Sequence, residues 1–201
     1  VAELALIIYL VYGALTFGVR TVIQYRRTGA SGVHGVSGEA GLAEWVAGGG
    51  FVLALLIGVL APVLALLEVA GPVAPLDSTA VNVVGLVLAL SGVVLTFAAQ
   101  VAMGESWRIG VDPAERTELV TSGPFALVRN PIFSGMIPTA LGLTLMVPNW
   151  PALVGLAVLV ISLELQVRVV EEPYLLKVHG ERYASYAAAV GRFLPGVGRL
   201  R

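Results

Sequence analysis

The sequence predicts an all-α integral membrane bundle of five transmembrane helices, and three observations carry that prediction. Of 201 residues, 57% are hydrophobic and 12% charged, about half the charged share of soluble domains. Five apolar stretches follow one another, most of them close to the ~20 residues a helix needs to cross a bilayer. All 12 Lys and Arg residues fall where five alternating helices would bring them to one side.

Residues 2–19 form the first stretch. It lacks a basic start, carries Tyr9 and Tyr12, and is followed by Arg20 in place of a small-residue cleavage site, so it reads as a span and not a secretory signal. Residues 45–70 and 80–103 are the second and third spans. Residues 132–147 and 152–170 are joined by Pro148-Asn149-Trp150-Pro151, a link so short that they must form an antiparallel hairpin. The first member of that hairpin is brief and contains Pro138, which predicts a tilted, kinked or protein-buried segment.

With five alternating helices, residues 20–44, 104–131 and everything from Glu171 onward share one side, with Arg168 a turn away. The opposite loops, residues 71–79 and 148–151, hold no Lys or Arg. Short-loop basic residues mark the cytoplasmic side, so the N-terminus is expected outside and the C-terminus in the cytoplasm, with the plasma (inner) membrane as the location. A net charge of -1 gives no reason to expect a nucleic-acid partner, and the lack of cysteine excludes disulfides and thiol chemistry within the chain. One membrane domain is expected, with residues 1–103 as a three-helix part and 104–201 as the chemically equipped part. The Gly- and Ser-rich segment 28–41, with His34, reads as a flexible loop of little chemistry.

Candidate chemistry gathers in two places. In residues 105–131, Asp112-Pro113 and Gly123-Pro124 mark turns, and Glu115, Arg116 and Glu118 read as solvated charges. Arg129-Asn130-Pro131 differs, because Pro131 suits the first turn of a helix whose free N–H groups favour an anion, either as a plain cap or as a carboxylate or phosphate site. The second concentration is Glu164, Gln166, Arg168, Glu171 and Glu172, with Glu164 and Arg168 an i,i+4 pair. The four charged residues among them are spaced to share roughly one helix side, either as a structural ion pair or as a functional cluster at membrane depth. Pro173 should break that helix. Residues 174–193 then read as an amphipathic helix that lies against the membrane surface or folds over the pocket, with Tyr183 and Tyr186 on one face. No P-loop, HExxH or CxxC signature is present, the two histidines are far apart, and no metal is expected.

Taken in order, the run from Gly123 to Phe133 (GPFALVRNPIF), the hairpin, Glu171-Glu172, the run from Gly180 to Tyr186 (GERYASY) and Arg192-Phe193-Leu194-Pro195 resemble the isoprenylcysteine carboxyl methyltransferase family, whose wider group includes phospholipid methyltransferases. The resemblance covers about residues 104–195. It implies a cytoplasmic pocket for S-adenosylmethionine built from Phe125, Val128, Arg129, Asn130, Pro131 and Phe133, with Glu171 or Glu172 on the ribose or amino group and Tyr183 and Tyr186 closing over it. A lipophilic substrate would enter from the bilayer. The family pattern is Arg-His-Pro-x-Tyr, so Asn130 stands where His is usual and Phe133 where Tyr is usual. Asn donates and accepts hydrogen bonds without titrating, which leaves Asn130 able to position a ligand and unable to act as a base.

The expected reaction is methyl transfer to a carboxylate, amine or thiol. A carboxylate acceptor needs no base, and Arg108 or Arg168 would hold it. For an amine or thiol, Glu164 or Glu172 is the candidate base. A nicotinamide-dependent membrane reductase related to sterol reductases and a non-catalytic membrane protein are the alternatives.

Overall fold

The computed structural model describes residues 1–33, 41–108 and 118–200. His34 and half of its glycine-rich segment, the Asp112-Pro113 turn, and Glu115 with Arg116 lie outside the described residues. Helix α1 (Ala2–Gly13) passes through a π-helical turn (Ala14–Val19) into α2 (Arg20–Thr28). Helices α3 (Leu42–Leu66) and α4 (Thr79–Met103) follow. The hairpin consists of α5 (Pro131–Met146) and α6 (Trp150–Leu165). A second π-helical turn (Gln166–Glu171) leads into α7 (Glu172–His179), and α8 (Glu181–Ala189) completes the helices.

Among the described residues, four continuous helical runs are long and apolar enough to cross a membrane: Ala2–Thr28, Leu42–Leu66, Thr79–Ser106 and Trp150–His179. The fifth expected span, α5, has 16 residues. At 1.5 Å per residue it reaches about 24 Å, short of a ~30 Å hydrocarbon core. Its burial explains how it is tolerated: Gly135, Met136, Thr139, Gly142, Thr144 and Met146 are all buried within the bundle. The long runs instead expose Leu56, Val87, Val94 and Ile161, an outward apolar surface suited to lipid.

Local signals set the ends. Ser78 caps α4 by accepting from the Val81 amide, and Asn149 caps α6 by accepting from the Ala152 amide at 2.9 Å. The Asn149 amide nitrogen also donates to the Ala61 carbonyl at 2.8 Å, and the Val73 amide to the Pro148 carbonyl at 2.7 Å. The Val73 bond fastens the two loops without basic residues to each other, and the Asn149 bond ties the hairpin loop to α3.

α4 and α5 make the most extensive contact, backbone to backbone over small residues, and α3 lies along α6. Two local expectations are corrected. Pro173 does not end its helix: the π turn has already interrupted the regular bonding, and Pro173 falls in the first turn of α7, where its missing N–H is harmless. The segment 174–193 is two short helices, because Gly180 at φ +52° and ψ -131° turns the chain between α7 and α8. α8 itself ends at Ala189.

Candidate active site

A cavity of about 630 Å³ lies where the basic helix ends converge, within the usual size of small-molecule sites. Its wall changes with depth. Membrane helices supply Phe17, Phe51, Val52, Phe133, Met136 and Leu163, whereas the cap supplies Arg108, Glu118, Arg129, Asn130, Glu171, Tyr183 and Tyr186.

The cap is held by a chain segment that returns to the start of α5. Val128 pairs with Gly191 in a single parallel bridge, the Arg129 amide donates to the Gly191 carbonyl at 2.8 Å, and the Asn130 amide to the Arg192 carbonyl at 3.1 Å. The Asn130 side chain donates to that same carbonyl at 3.2 Å, and Ser134 Oγ donates to the Phe193 carbonyl at 2.8 Å. Gly191 has no alternative: a Cβ there would lie 2.8 Å from the Gly196 and Val197 amide nitrogens. Asn130 therefore ties the C-terminal segment to the helix start while still lining the cavity.

Arg129 is more committed than a free anion-binding side chain. Its Nη1 donates to the Ala187 carbonyl at 3.0 Å and to the Val190 carbonyl, and its Nη2 to the Gly198 carbonyl at 3.1 Å and to Glu172 at 2.5 Å. Arg192 grips the same carboxylate with Nε at 2.8 Å and Nη2 at 2.9 Å. Both Glu172 oxygens are thus taken up, so Glu172 anchors two arginines and is not a base open to the cavity. The neighbouring Glu171 does line the cavity, and its partner is Gln166 at 3.4 Å, long for a hydrogen bond. Two adjacent carboxylates have separate settings because consecutive helical residues point about 100° apart.

Glu164 and Arg168 pair with each other one helical turn apart on an exposed face. They do not line the cavity, which contradicts their expected catalytic placement: an i,i+4 pair satisfies itself on its own helix. Arg108 does line it, with its guanidinium 5.4 Å from the centre of the Tyr174 ring. Val128 is buried behind the wall, and Phe125, Pro131 and Phe133 form part of it. Phe133 packs toward Ala54, Leu159 and Leu163, an apolar setting in which a tyrosine hydroxyl would have to find a partner.

Tyr183 is 2% exposed and stands edge-on to Tyr186, with ring centres 6.2 Å apart. Tyr186 donates its hydroxyl to the Phe125 carbonyl at 2.5 Å, fastening α8 to the 3-10 turn Gly123–Ala126. Burial, helped by the negative charge of Glu172, pushes Tyr183 up to about 12. Burial, followed by the neighbouring Tyr183, pushes Tyr186 up to about 12. An unfolded chain releases these protons near pH 10, so above that pH it binds fewer protons than the folded protein and gains relative stability. Unfolding followed by circular dichroism should therefore show stability intact below about pH 10 and lost toward about pH 12. Tyr183→Phe should flatten that loss, and an unchanged slope would count against the burial of this hydroxyl.

Several wall residues escaped the sequence reading. Thr16, Phe17, Trp45, Phe51, Gln100 and Trp107 all line the cavity. Their signal was aromatic or polar residues near the basic ends of the apolar stretches, but composition alone does not show which helix ends converge. Trp107, 2% exposed, is held under Arg20, whose guanidinium sits 4.9 Å from the ring centre and donates to the Gly104 carbonyl. Gln24 secures the same turn by donating to the Glu105 carbonyl at 2.6 Å.

Comparison with known proteins gives this architecture relatives. The sequence pattern of the phospholipid methyltransferase family matches residues 81–182. The protein-S-isoprenylcysteine O-methyltransferases A and B of Arabidopsis thaliana are each 30% identical to this chain over 115 residues, which is 56% of this chain and 58% of theirs. The chain thus spans a little over half the length of these curated relatives. The solved structure of the eukaryotic intramembrane Ras methyltransferase isoprenylcysteine carboxyl methyltransferase, without a monobody, aligns over 96% of this chain and 67% of its own at 20% identity and a TM-score of 0.60. At that identity the likeness is one of fold. With a family pattern running from the start of α4 into α8, over the hairpin and most of the cavity's polar wall, this chain belongs to the phospholipid methyltransferase family of integral membrane proteins.

Proposed function

We propose that the protein transfers a methyl group from S-adenosylmethionine to a carboxylate carried by a lipophilic acceptor. The supporting observation is one cavity that joins an apolar wall at membrane depth to a charged mouth containing Glu171, Arg108 and Arg129. When bound, the cofactor would supply a methyl group on a positively charged sulfur.

The chain's residues fit that group. Glu171 offers a carboxylate suited to an ammonium or ribose hydroxyl and to nearby positive charge. Arg129 Nε is buried and without a partner among the described residues, and the first turn of α5 has N–H groups that no earlier helical carbonyl takes up. Together they offer a carboxylate the opposite polarity. Phe125, Trp107 and Tyr183 give the cavity flat apolar faces.

A carboxylate acceptor suits the remaining groups. Asn130 does not titrate, Phe133 has no hydroxyl, and Glu164 and Glu172 are each engaged by arginine. Arg108 at the mouth would hold such an acceptor. The Arabidopsis relatives are named as O-methyltransferases of S-isoprenylcysteine, and an acceptor with a long apolar chain and a terminal carboxylate matches this cavity as well. Catalysis would rest on proximity and orientation, effects worth several kcal/mol. The basic end of the bundle would face the cytoplasm, in the inner membrane, with the N-terminus outside.

Calorimetric titration of the purified protein with S-adenosylmethionine tests the reading. Binding should be seen in nanodiscs, and Glu171→Gln should weaken it about tenfold or more by removing a charge-assisted bond, with the unfolding temperature unchanged. No binding in detergent and nanodiscs alike would sink it.

A further inference from the structure

A second, smaller cavity of about 70 Å³ lies deeper in the bundle, among α1, α3, α5 and α6. The two cavities are stacked along the bundle axis. Their linings change over at matching levels: from Thr16 in the first π turn to Tyr12 on α1, from Val52 to Ala54 on α3, and from Ser162 to Leu159 on α6. On α5 the changeover is a single residue, Met136, which lines both.

The inner cavity is built to stay dry. Each hydroxyl in its wall already has a partner: Tyr9 donates to the Leu55 carbonyl at 2.7 Å, Tyr12 shares a bond with Thr96 at 3.2 Å, and Thr139 donates to the Gly135 carbonyl at 2.8 Å. Thr144 reaches the Ala152 carbonyl at 3.4 Å. Water needs two or more polar partners to enter such a space, and apolar cavities stay empty or take apolar guests. Met136 is 4% exposed, and an unbranched thioether can swing aside more readily than a branched side chain.

We propose that Met136 is the specificity-determining constriction of one axial channel, in which the terminal carbons of the acceptor's hydrocarbon chain pass it to occupy the inner cavity. The inference rests on the proposed acceptor class and adds to it the residue that limits chain length. From Met136 to Val147, the far lining residue near the end of α5, the channel extends roughly 16 Å along the helix. Chains too short to pass Met136 would bind in the outer cavity alone.

The test uses N-acetyl-cysteines carrying geranyl, farnesyl or geranylgeranyl chains, each with a photoreactive diazirine at its tip, on the full chain in nanodiscs. Mass spectrometry locates the label, and methyl transfer is measured in parallel. In the wild type the longest chain should label Tyr9, Leu143 or Leu156. Met136→Trp should confine the label to Phe51, Phe133 and Leu163 and lower transfer to the longest acceptor about tenfold relative to the shortest. Met136→Ala should shift preference toward the longest. Should Met136→Trp fail to fold, Ala140→Leu, which fills only the inner cavity, should give the same confinement. Inner labelling without methyl transfer would uphold the channel and remove the catalytic reading. Transfer with no inner labelling, or with the same chain-length profile in all variants, would overturn the role of Met136.

Discussion

Replacing Glu172 by alanine should lower the stability of the folded protein by about 3–5 kcal/mol, the usual result of removing one partner from a buried ion pair. The side chains of Arg129, Glu172 and Arg192 are 1%, 6% and 10% exposed, so solvent would do little to screen what remains. Two guanidinium groups would be left facing each other across the space the carboxylate filled. The same carboxylate holds the start of α5, through Arg129, to the C-terminal segment, through Arg192. Loss of the anchor should therefore free the backbone bonds between residues 129–134 and 187–198 before the membrane helices separate. Hydrogen exchange in nanodiscs should show protection falling first in those two segments, together with a lower thermal midpoint. Glu172→Gln, which keeps the shape and one acceptor, should lie between the variant and the wild type. The adjacent Glu171→Gln should leave the midpoint unchanged and alter cofactor binding instead. If Glu172→Ala kept wild-type exchange and lost only cofactor affinity, Glu172 would be a ligand and the anchoring role would be wrong.

That contrast shows where the sequence stopped being informative. Hydropathy and the placement of Lys and Arg made the helices and their alternation legible, because both reflect the solvent each residue meets. The run from Phe125 to Phe133, with Glu171, pointed to the cavity that the structure forms around them. Helical spacing grouped Glu164, Arg168, Glu171 and Glu172 on one face, and there it failed. The π turn at Gln166–Glu171 inserts an extra residue into the turn and changes the phase of everything beyond it, so Glu164 and Arg168 remain on the surface while Glu171 and Glu172 turn inward. The partnership of Glu172 with Arg192 spans 20 residues and a chain reversal at Gly180, and no local period encodes it. Thr16, Trp45 and Gln100 were hidden for a related reason, since convergence of helix ends is a property of packing.

The packing between α4 and α5 should be the least tolerant part of the molecule, and Gly142→Val should prevent folding. Gly85, Ala89, Gly92 and Thr96 on α4 face Gly135, Thr139 and Gly142 on α5, a small-residue seam that lets two membrane helices touch along their backbones. A Cβ at Gly142 would fall on the backbone of Gly85 and Ala89; one at Gly92 would lie 2.5 Å from the Thr139 amide nitrogen. A Cβ at Gly135 would lie 2.5 Å from the Thr96 amide nitrogen. None of these obstacles is a side chain that can rotate away, so the helices themselves must part. Overpacking against movable neighbours costs about 1–3 kcal/mol; here even Gly142→Ala should exceed that range, and a β-branched residue should leave no folded population. Gly13→Ala is the control, because a Cβ there meets nothing within 4 Å and should be neutral or stabilising by up to ~1 kcal/mol. The effect should also reach the cavity. α5 carries Asn130 to Phe133 at its start, and it is a short helix pressed along α4, so a forced separation at Gly142 should displace that start although it lies roughly 15 Å away along the helix. Gly142→Ala should thus lose thermal stability and S-adenosylmethionine affinity together, whereas Glu171→Gln loses affinity alone. A Gly142→Ala protein with the wild-type midpoint would mean that α4 and α5 are not in backbone contact.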